Sequence, residues 1–284
     1  VTWGRVGRAR ILLRKMGCRR VLLSMNNEPR TMNYDVIVVG GGHAGCEAAL
    51  AAARMGQRTL LVTFRKDAIG HVSCNPSIGG VGKGQLVKEI DALGGEMAKA
   101  ADASCIQFRM LNMSKGYAAR SSRMQIDRGV YNEYMKRVLG SQSGLDILEG
   151  EVKSLVVEEG RVRGVVVAPN SDLRTPHSAV RTNCVILTTG TFMNGVLHVG
   201  LDHFPGGRMG EAPSVGLSDN LRALGFNVGR LKTGTPARLD AGTIDLSVLS
   251  TQPGDKTVIP FSFSNREVDL PQIPCYLTRT NLET

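Results

Sequence analysis

A glycine-rich turn is the strongest chemical signal in the sequence, and its residues are Gly40, Gly41, Gly42, His43, Ala44 and Gly45. In this GxGxxG spacing, Gly40 permits a tight turn, Gly42 lets a pyrophosphate approach the backbone, and Gly45 lets a helix pack closely on a strand. The phosphates then bind at the positive end of that helix. The turn therefore predicts a dinucleotide site.

The thiol of Cys74 is a second candidate, because it lies in the glycine-rich segment Ile69–Gly84 just before a helical stretch. Helical N–H groups together with Lys83 or Lys88 would favour its thiolate, which is the reactive form of cysteine. A structural cysteine in a Gly-Pro loop explains the same spacing equally well. The spacing alone leaves both interpretations open.

The elements that must position the turn form a βαβ unit. Tyr34–Val39 predicts a strand, Cys46–Met55 a helix, and Gln57–Thr63 a second strand. The acidic residue that usually binds the ribose about 20 residues further on is absent, since the second strand ends in Thr63-Phe64-Arg65 and Asp67 lies beyond it. We expect the ribose contact to come from Thr63 or from elsewhere in the chain.

Further elements follow in an order that indicates the fold. We predict helices at Gln85–Ala100, Ala118–Leu139 and Ser214–Gly225, and strands at Asp146–Val157, Arg161–Ala168 and Cys184–Thr189. A GxGxxG unit, helices, a meander and a last apolar strand predict an α/β fold: an FAD-binding, Rossmann-like domain of the two-dinucleotide-binding flavoprotein type, with inserted α+β segments. The βαβ units of a simple NAD dehydrogenase would instead continue in series.

Basic side chains mark three regions of the chain. Seven arginines and Lys15 lie within residues 1–31, which carry +7 of the net charge of +10. This leader is interpreted as an organellar transit peptide, an RNA-binding arm, or an untranslated extension before a later start at Met25 or Met32. The second region is one face of the predicted helix Ala118–Leu139, whose basic side chains either are solvated or bind RNA phosphates. The third is the glycine-rich segment 206–240. Its cations are Arg208, Arg230, Lys232 and Arg238.

The composition excludes several classes of protein. The longest apolar runs are far shorter than the roughly 20 residues that span a bilayer, so no transmembrane helix is expected. The six cysteines include no CxxC pair, which argues against a metal site and, without a secretory signal, indicates reduced thiols. We expect a cytoplasmic protein, or one of an organellar matrix if the leader is a transit peptide. The expected organisation is the leader 1–31, an FAD-binding domain 32–240 with an insertion, and the start of an NAD-associated region at 241–284.

Five sequence blocks together resemble one family: GGGHAGCEAA, CNPSIGGVGKGQLVKEIDALGG, LTTGTF, GRLKTGTPARLD and IPCYLT. They resemble the flavin-dependent enzymes that add a carboxymethylaminomethyl group to the tRNA wobble uridine, the MnmG or glucose-inhibited division protein A family. The resemblance covers about Met32–Thr284, and the CNPSIGG and KTGTP blocks are specific to this family. Family members are about twice as long as this chain, so the resemblance is to their N-terminal portion.

The resemblance implies cofactors and partners. Such an enzyme binds FAD, uses NADH as reductant, takes a one-carbon unit from methylenetetrahydrofolate, and modifies C5 of uridine 34 in tRNA. It acts as a homodimer with the partner tRNA-modification GTPase MnmE. Carried over by position, Gly40 to Gly45, Val152 and Ser214 would bind the cofactor, and Cys74 and Cys275 would be the two catalytic cysteines, with Pro271–Asn281 in an NAD region.

Two other functions compete with this expectation. One is the related folate- and FAD-dependent tRNA uracil-5-methyltransferase, which typically keeps an acid after the second strand and lacks the CNPSIGG block. The other alternative is an inactive dinucleotide-binding fragment. A bound flavin would separate an enzyme-like fold from that fragment.

Overall fold

A parallel four-stranded sheet is the central layer of the computed structural model, which describes residues 34–168, 178–236, 239–268 and 270–282. The leader 1–31 and Arg238 lie outside these ranges. In spatial order the strands are Val185–Leu187 (β10), Val36–Val39 (β1), Thr59–Thr63 (β2) and Leu145–Glu149 (β6). Every residue of β1 and β2 is buried, as expected for mostly apolar, β-branched strands covered on both faces.

Helices cover one face of this sheet. Helix α1, His43–Arg54, follows the glycine turn, so the predicted βαβ unit is confirmed with a helix that begins three residues earlier than expected. Helix α4, Arg128–Ser141, lies beside it and buries Tyr131, Met135 and Leu139, one residue per turn. The carboxylate of Asp127 caps α4 by accepting a hydrogen bond from the N–H of Val130 at 2.9 Å.

The β-meander covers the opposite face. It consists of Glu151–Glu158 (β7), Arg161–Ala168 (β8) and Ser178–Arg181 (β9), all antiparallel. Val152, Val165 and Val167 pack with Ile37 and Val39 of β1 in a second hydrophobic cluster. The predicted Rossmann-like arrangement with a meander is therefore confirmed, although the predicted strand Asp146–Val157 divides at Gly150 into β6 and β7.

An inserted antiparallel sheet holds the next part of the chain. Its strands, in spatial order, are Ser77–Gly79 (β3), Ser121–Ile126 (β5) and Cys105–Leu111 (β4). Helices Lys83–Ala92 (α2) and Met97–Ala103 (α3) connect β3 with β4. The predicted single helix Gln85–Ala100 is wrong, because the chain turns at Gly94, which has a φ of +90°.

The predicted helix Ala118–Leu139 is wrong over nearly its first half, because the observed helix begins at Arg128. Residues 121–126 form β5, and Met124 and Ile126 of that strand are buried. The apolar side chains of Met124, Tyr131 and Met135 also fit a helical period, which is why the strand was missed. Arg120 and Arg123 therefore do not belong to a basic helix face; Arg120 instead stacks on the Tyr117 ring at 4.2 Å.

The last part of the chain packs partly on the meander, through Leu217, and partly on the inserted sheet. The hairpin Val196–Val199 (β11) and Asp202–Pro205 (β12) comes first, then a short helix Leu217–Ala223 (α5) within the predicted one, then the pair Ser250–Gln252 (β13) and Cys275–Leu277 (β14). The N–H of Ile273 donates to the carbonyl of Ile106 at 2.7 Å, and Phe261 is fully buried. Across the described ranges, no helix has the length and apolar character needed to cross a bilayer. The domain boundary at residue 240 stays a prediction.

Candidate functional site

The glycine turn has the shape that its sequence predicts. Gly40 has a φ of +106°, a conformation that residues with a side chain rarely adopt. A Cβ on Gly45 would overlap the carbonyl oxygen of Gly40, so helix and strand approach as closely as glycine allows. A Cβ on Gly42, by contrast, would meet no protein atom within 4 Å. The space beside Gly42 is therefore open to a ligand.

The N-terminus of α1 offers its N–H groups to that space. Gly42 is the N-cap and has no capping side chain, and the first turn contains no acidic residue. The first N–H groups of a helix have no partner within the helix, and the helix dipole adds positive potential there. An anion such as a pyrophosphate fits this turn, whereas a cation would be repelled.

The parallel strands bring further polar groups to the same edge. Thr63 ends β2, is buried, and pairs in register with Glu149, which ends β6. The Glu149 carboxylate accepts a hydrogen bond from the N–H of Lys66 at 2.8 Å. The sequence pattern predicts an acid after β2 itself, whereas the acid beside the end of β2 is Glu149 on the neighbouring strand. The end of a parallel strand is the signal that could have found it.

Ser214 lies at this edge beside Glu151, the residue that precedes Val152 in β7. The Ser214 hydroxyl donates to the Glu151 carboxylate at 3.1 Å, and the N–H of Val215 donates to the same oxygen at 2.9 Å. Val152 is the next residue of β7 and is buried. The N–H of Gly150 donates to the carbonyl of Thr63 at 2.9 Å, which places this cluster beside the end of β2.

His43 lies among buried and basic groups. Its Nδ1 is 3.4 Å from the Tyr131 hydroxyl, and burial, followed by the charges of Lys83 and His71, lowers the pKa of His43 to about 4. Burial also lowers the pKa of Lys83, and the nearby sulfur of Cys74 offsets only part of this effect. His43 is thus a neutral imidazole at physiological pH. Lys83 lies close enough to interact electrostatically with both His43 of the glycine turn and Cys74.

Cys74 is exposed, and its surroundings come from two distant segments. Its Sγ is 3.7 Å from the carbonyl of Gly234, which joins the CNPSIGG loop to the KTGTP segment. Of the two predicted lysines, Lys83 is the neighbour. The Nζ of Lys88 instead donates to the carbonyls of Pro260 and Phe261, both at 3.4 Å.

Cys275 has different surroundings. It lies in β14, is half-buried, and its thiol donates to Oε1 of Gln107 at 3.3 Å. Gln107 belongs to β4, whereas the Cys74 loop leads into β3 at the opposite edge of the inserted sheet. The structure therefore places the two cysteines against different strands, and only Cys74 has a basic neighbour close to the glycine turn.

The basic segment after residue 206 is partly engaged with the protein itself. The guanidinium of Arg208 pairs with Glu211 at 2.9 Å, and that of Arg230 donates to the carbonyl of Asn194 at 3.3 Å. Lys232 is exposed beside the Cys74 contact at Gly234. Among the described cations of this segment, Lys232 is therefore best placed to meet a ligand at the site.

Comparison with known proteins gives consistent matches. A family model described as "Glucose inhibited division protein A" matches residues 35–284. The tRNA uridine 5-carboxymethylaminomethyl modification enzyme MnmG of Geobacter sulfurreducens is 60% identical over 251 residues, 88% of this chain and 39% of that protein. The enzyme of the same name from Thermodesulfovibrio yellowstonii is 52% identical over 252 residues, 89% of this chain and 39% of that protein.

A solved structure matches the fold as well. GidA of Aquifex aeolicus superposes with a TM-score of 0.80 at 48% identity, over 88% of this chain and 41% of that one. The chain thus spans about two fifths of the length of the relatives that it matches.

Proposed function

Since the chain belongs to the glucose-inhibited division protein A family, we propose that it is the FAD-binding part of an enzyme that modifies C5 of the tRNA wobble uridine. One observation carries the cofactor assignment: the glycine turn, the end of β2 and the Glu151–Ser214 cluster converge on one edge of the parallel sheet. Ligands of open α/β sheets bind at this carboxyl edge. The reaction that we propose for the whole protein is the one for which the Geobacter enzyme is named.

The residues present fit FAD. The N–H groups at the start of α1 would hold the pyrophosphate, Glu149 or Thr63 would meet the adenosine ribose, and Val152 and Ser214 would flank the nucleotide. FAD supplies the redox chemistry when it is bound. The finer parts of the proposal are NADH as reductant, methylenetetrahydrofolate as one-carbon donor, a homodimer, and the partner GTPase MnmE.

Cys74 is the residue that we propose to act on the base. Its thiolate would add to C6 of uracil, and the electrons of the C5=C6 bond would move to the O4 side, so that C5 becomes nucleophilic. After C5 has bonded to the incoming carbon, loss of the C5 proton would expel the thiolate and restore the double bond. Lys83 is the basic neighbour of Cys74, and Lys232 would meet a phosphate of the RNA. Cys275, held by Gln107, remains the second candidate.

Flavin retention tests the cofactor assignment. Purified chain mixed with FAD and then desalted should keep a flavin band at about 450 nm, close to one flavin per chain. A colourless protein after this treatment would favour the inactive fragment. Because a flavin alone does not separate the proposal from the uracil-5-methyltransferase alternative, the wobble uridine must also be analysed in cells whose full-length gene carries Cys74→Ser.

Alkylation tests the assignment of the thiol without needing activity. Mass mapping after iodoacetamide should show Cys74 labelled faster than Cys275, and Lys83→Gln should slow the labelling of Cys74 alone. The matched control is Lys88→Gln, which removes a lysine of the same helix that faces Pro260 and Phe261. Equal labelling rates at Cys74 in these two variants would exclude Lys83 as the group that activates the thiol.

A further inference from the structure

A cavity of about 620 Å³ lies over the polar face of the inserted sheet, away from the glycine turn. Gln107 and Arg109 of β4, Arg123 and Gln125 of β5, the exposed Lys115 and Leu277 of β14 line it. The volume lies in the range of about 300–1,000 Å³ that is typical of small-molecule sites. Three of the lining residues are cationic, and none is acidic.

Two of the positive charges in this cavity lie close enough to repel each other. Arg109 and Arg123 stand directly opposite each other on adjacent antiparallel strands, and both are half-buried. Directly opposed like charges destabilise a strand pair. Within the described ranges no carboxylate forms an ion pair with Arg109, Lys115 or Arg123. Arg109 donates to the carbonyl of Pro253 at 2.9 Å, which fixes one Nη but adds no negative charge.

A neutral side chain in the same cavity also lacks a partner. The Oε1 of Gln125 is buried, with no hydrogen bond among the described residues, and it lines the cavity next to Arg123. A buried amide oxygen without a partner is unfavourable, and the same amide carries two N–H groups that can donate to a ligand oxygen in the cavity. Gln107 across the sheet is held rigidly, because its Nε2 donates to the carbonyls of Gln252 and Ile273 at 2.9 and 3.2 Å.

We propose that this cavity binds the anionic group of a small molecule, a phosphate or a carboxylate, separately from the cofactor at the glycine turn. Arg109 and Arg123 would each bind one side of the oxyanion, Lys115 would close the site from the 112–115 turn, and the Gln125 amide would donate to it. The bound anion relieves the repulsion between the two guanidinium groups. Because β4, β5 and β14 wall the cavity, a compact anion fits it better than the phosphate backbone of an RNA.

Calorimetry on the whole chain tests this site, with inorganic pyrophosphate and citrate as separate probes at a constant ionic strength set by NaCl. The phosphate and carboxylate arms distinguish the two sources of oxyanion. We expect saturable one-to-one binding of at least one probe. Arg123→Gln and Lys115→Gln should each weaken that binding about 10- to 100-fold, as loss of a charge-assisted hydrogen bond does. The control Arg161→Gln, at an exposed position of β8, should bind like the parent.

Three results would overturn the proposed anion site. Absence of saturable binding of both probes overturns the proposal, and so does unchanged affinity in Lys115→Gln and Arg123→Gln. Binding of tRNA without competition by either probe also overturns it, because the surface would then serve an RNA backbone. If Arg123→Gln fails to fold, the exposed Lys115→Gln decides alone. FAD retention in the same variants should equal that of the parent, so failure of this site and failure of the cofactor site are distinguishable.

Discussion

Two glycines of the cofactor turn should respond in opposite ways to the same added methyl group. Gly42 has a φ of −74°, which alanine adopts freely, and its Cβ would meet no protein atom within 4 Å. Gly45 lies three residues later, where a Cβ would overlap the carbonyl oxygen of Gly40 and approach Oγ1 of Thr188 to 2.7 Å. Gly42→Ala therefore adds a methyl group to ligand space, and Gly45→Ala adds it to packed protein.

The magnitudes follow from these distances. For Gly45→Ala, α1 must move away from β1, and such overpacking costs about 1–3 kcal/mol and here at least the upper value. For Gly42→Ala, the reduced entropy of the unfolded chain and the slightly poorer N-cap nearly cancel, so stability should change by less than about 1 kcal/mol. The methyl group would still block the approach of a pyrophosphate and weaken FAD binding about tenfold or more.

Urea unfolding of the flavin-free proteins and FAD titration of the folded ones measure the two effects separately. The expected pattern is a Gly42→Ala variant of parent-like stability with weakened FAD affinity, and a destabilised Gly45→Ala variant. Parent-like FAD affinity in Gly42→Ala would refute the idea that the pyrophosphate passes this residue. Parent-like stability in Gly45→Ala would refute the close packing of helix and strand.

Two further predictions concern stability and its pH dependence. Because burial lowers the pKa of His43 from 6.5 to about 4, the unfolded chain binds the proton more tightly, and stability should fall by up to about 3 kcal/mol as the pH falls from 6.5 to 4. His43→Gln should flatten this part of a plot of unfolding free energy against pH, and an unchanged slope would contradict the assignment. Arg54→Ala should cost about 2 kcal/mol in urea unfolding, since it removes the 2.6 Å ion pair with the buried Glu96 carboxylate. Burial opposes the effect, but Arg54, Tyr134 and Lys99 together lower the pKa of Glu96 below its usual 4.5. The difference in stability between Arg54→Ala and the parent should therefore shrink as the pH falls from 4.5 through that lowered pKa, and a difference that is constant with pH would refute this.

Short sequence patterns predicted those parts of the fold that neighbouring residues determine. The GxGxxG turn, the flanking strands and the meander follow from spacing and alternation within short windows, and the structure has them within a few residues. The prediction of a helix over residues 121–126 is wrong, because Met124, Tyr131 and Met135 satisfy a helical period even though Met124 lies on a strand. Only the pairing of β5 with β3 and β4 decides between the two periods, and that pairing is a tertiary fact.

The site contains contacts that no short window could supply. Glu149 reaches the end of β2 only because β6 pairs with it, and Cys74 meets Gly234 across 160 residues of chain. Glu47 of α1 accepts hydrogen bonds from the N–H groups of Glu96 and Met97 and so holds the start of α3 from another element. Sequence blocks identified the segments that matter, but the distances between them are set by the fold.

The position of β10 in the central sheet has a consequence for folding during synthesis. β1 lies between β2 and β10, yet the hydroxyl of Thr188 that binds the carbonyl of Val39 comes from 149 residues further along the chain. Until that part has left the ribosome, one edge of the apolar strand Val36–Val39 stays unpaired, and such edges recruit other strands. This high contact order predicts slow folding and a need for chaperones during synthesis, and it makes premature release of the nascent chain before residue 188 a route to aggregation.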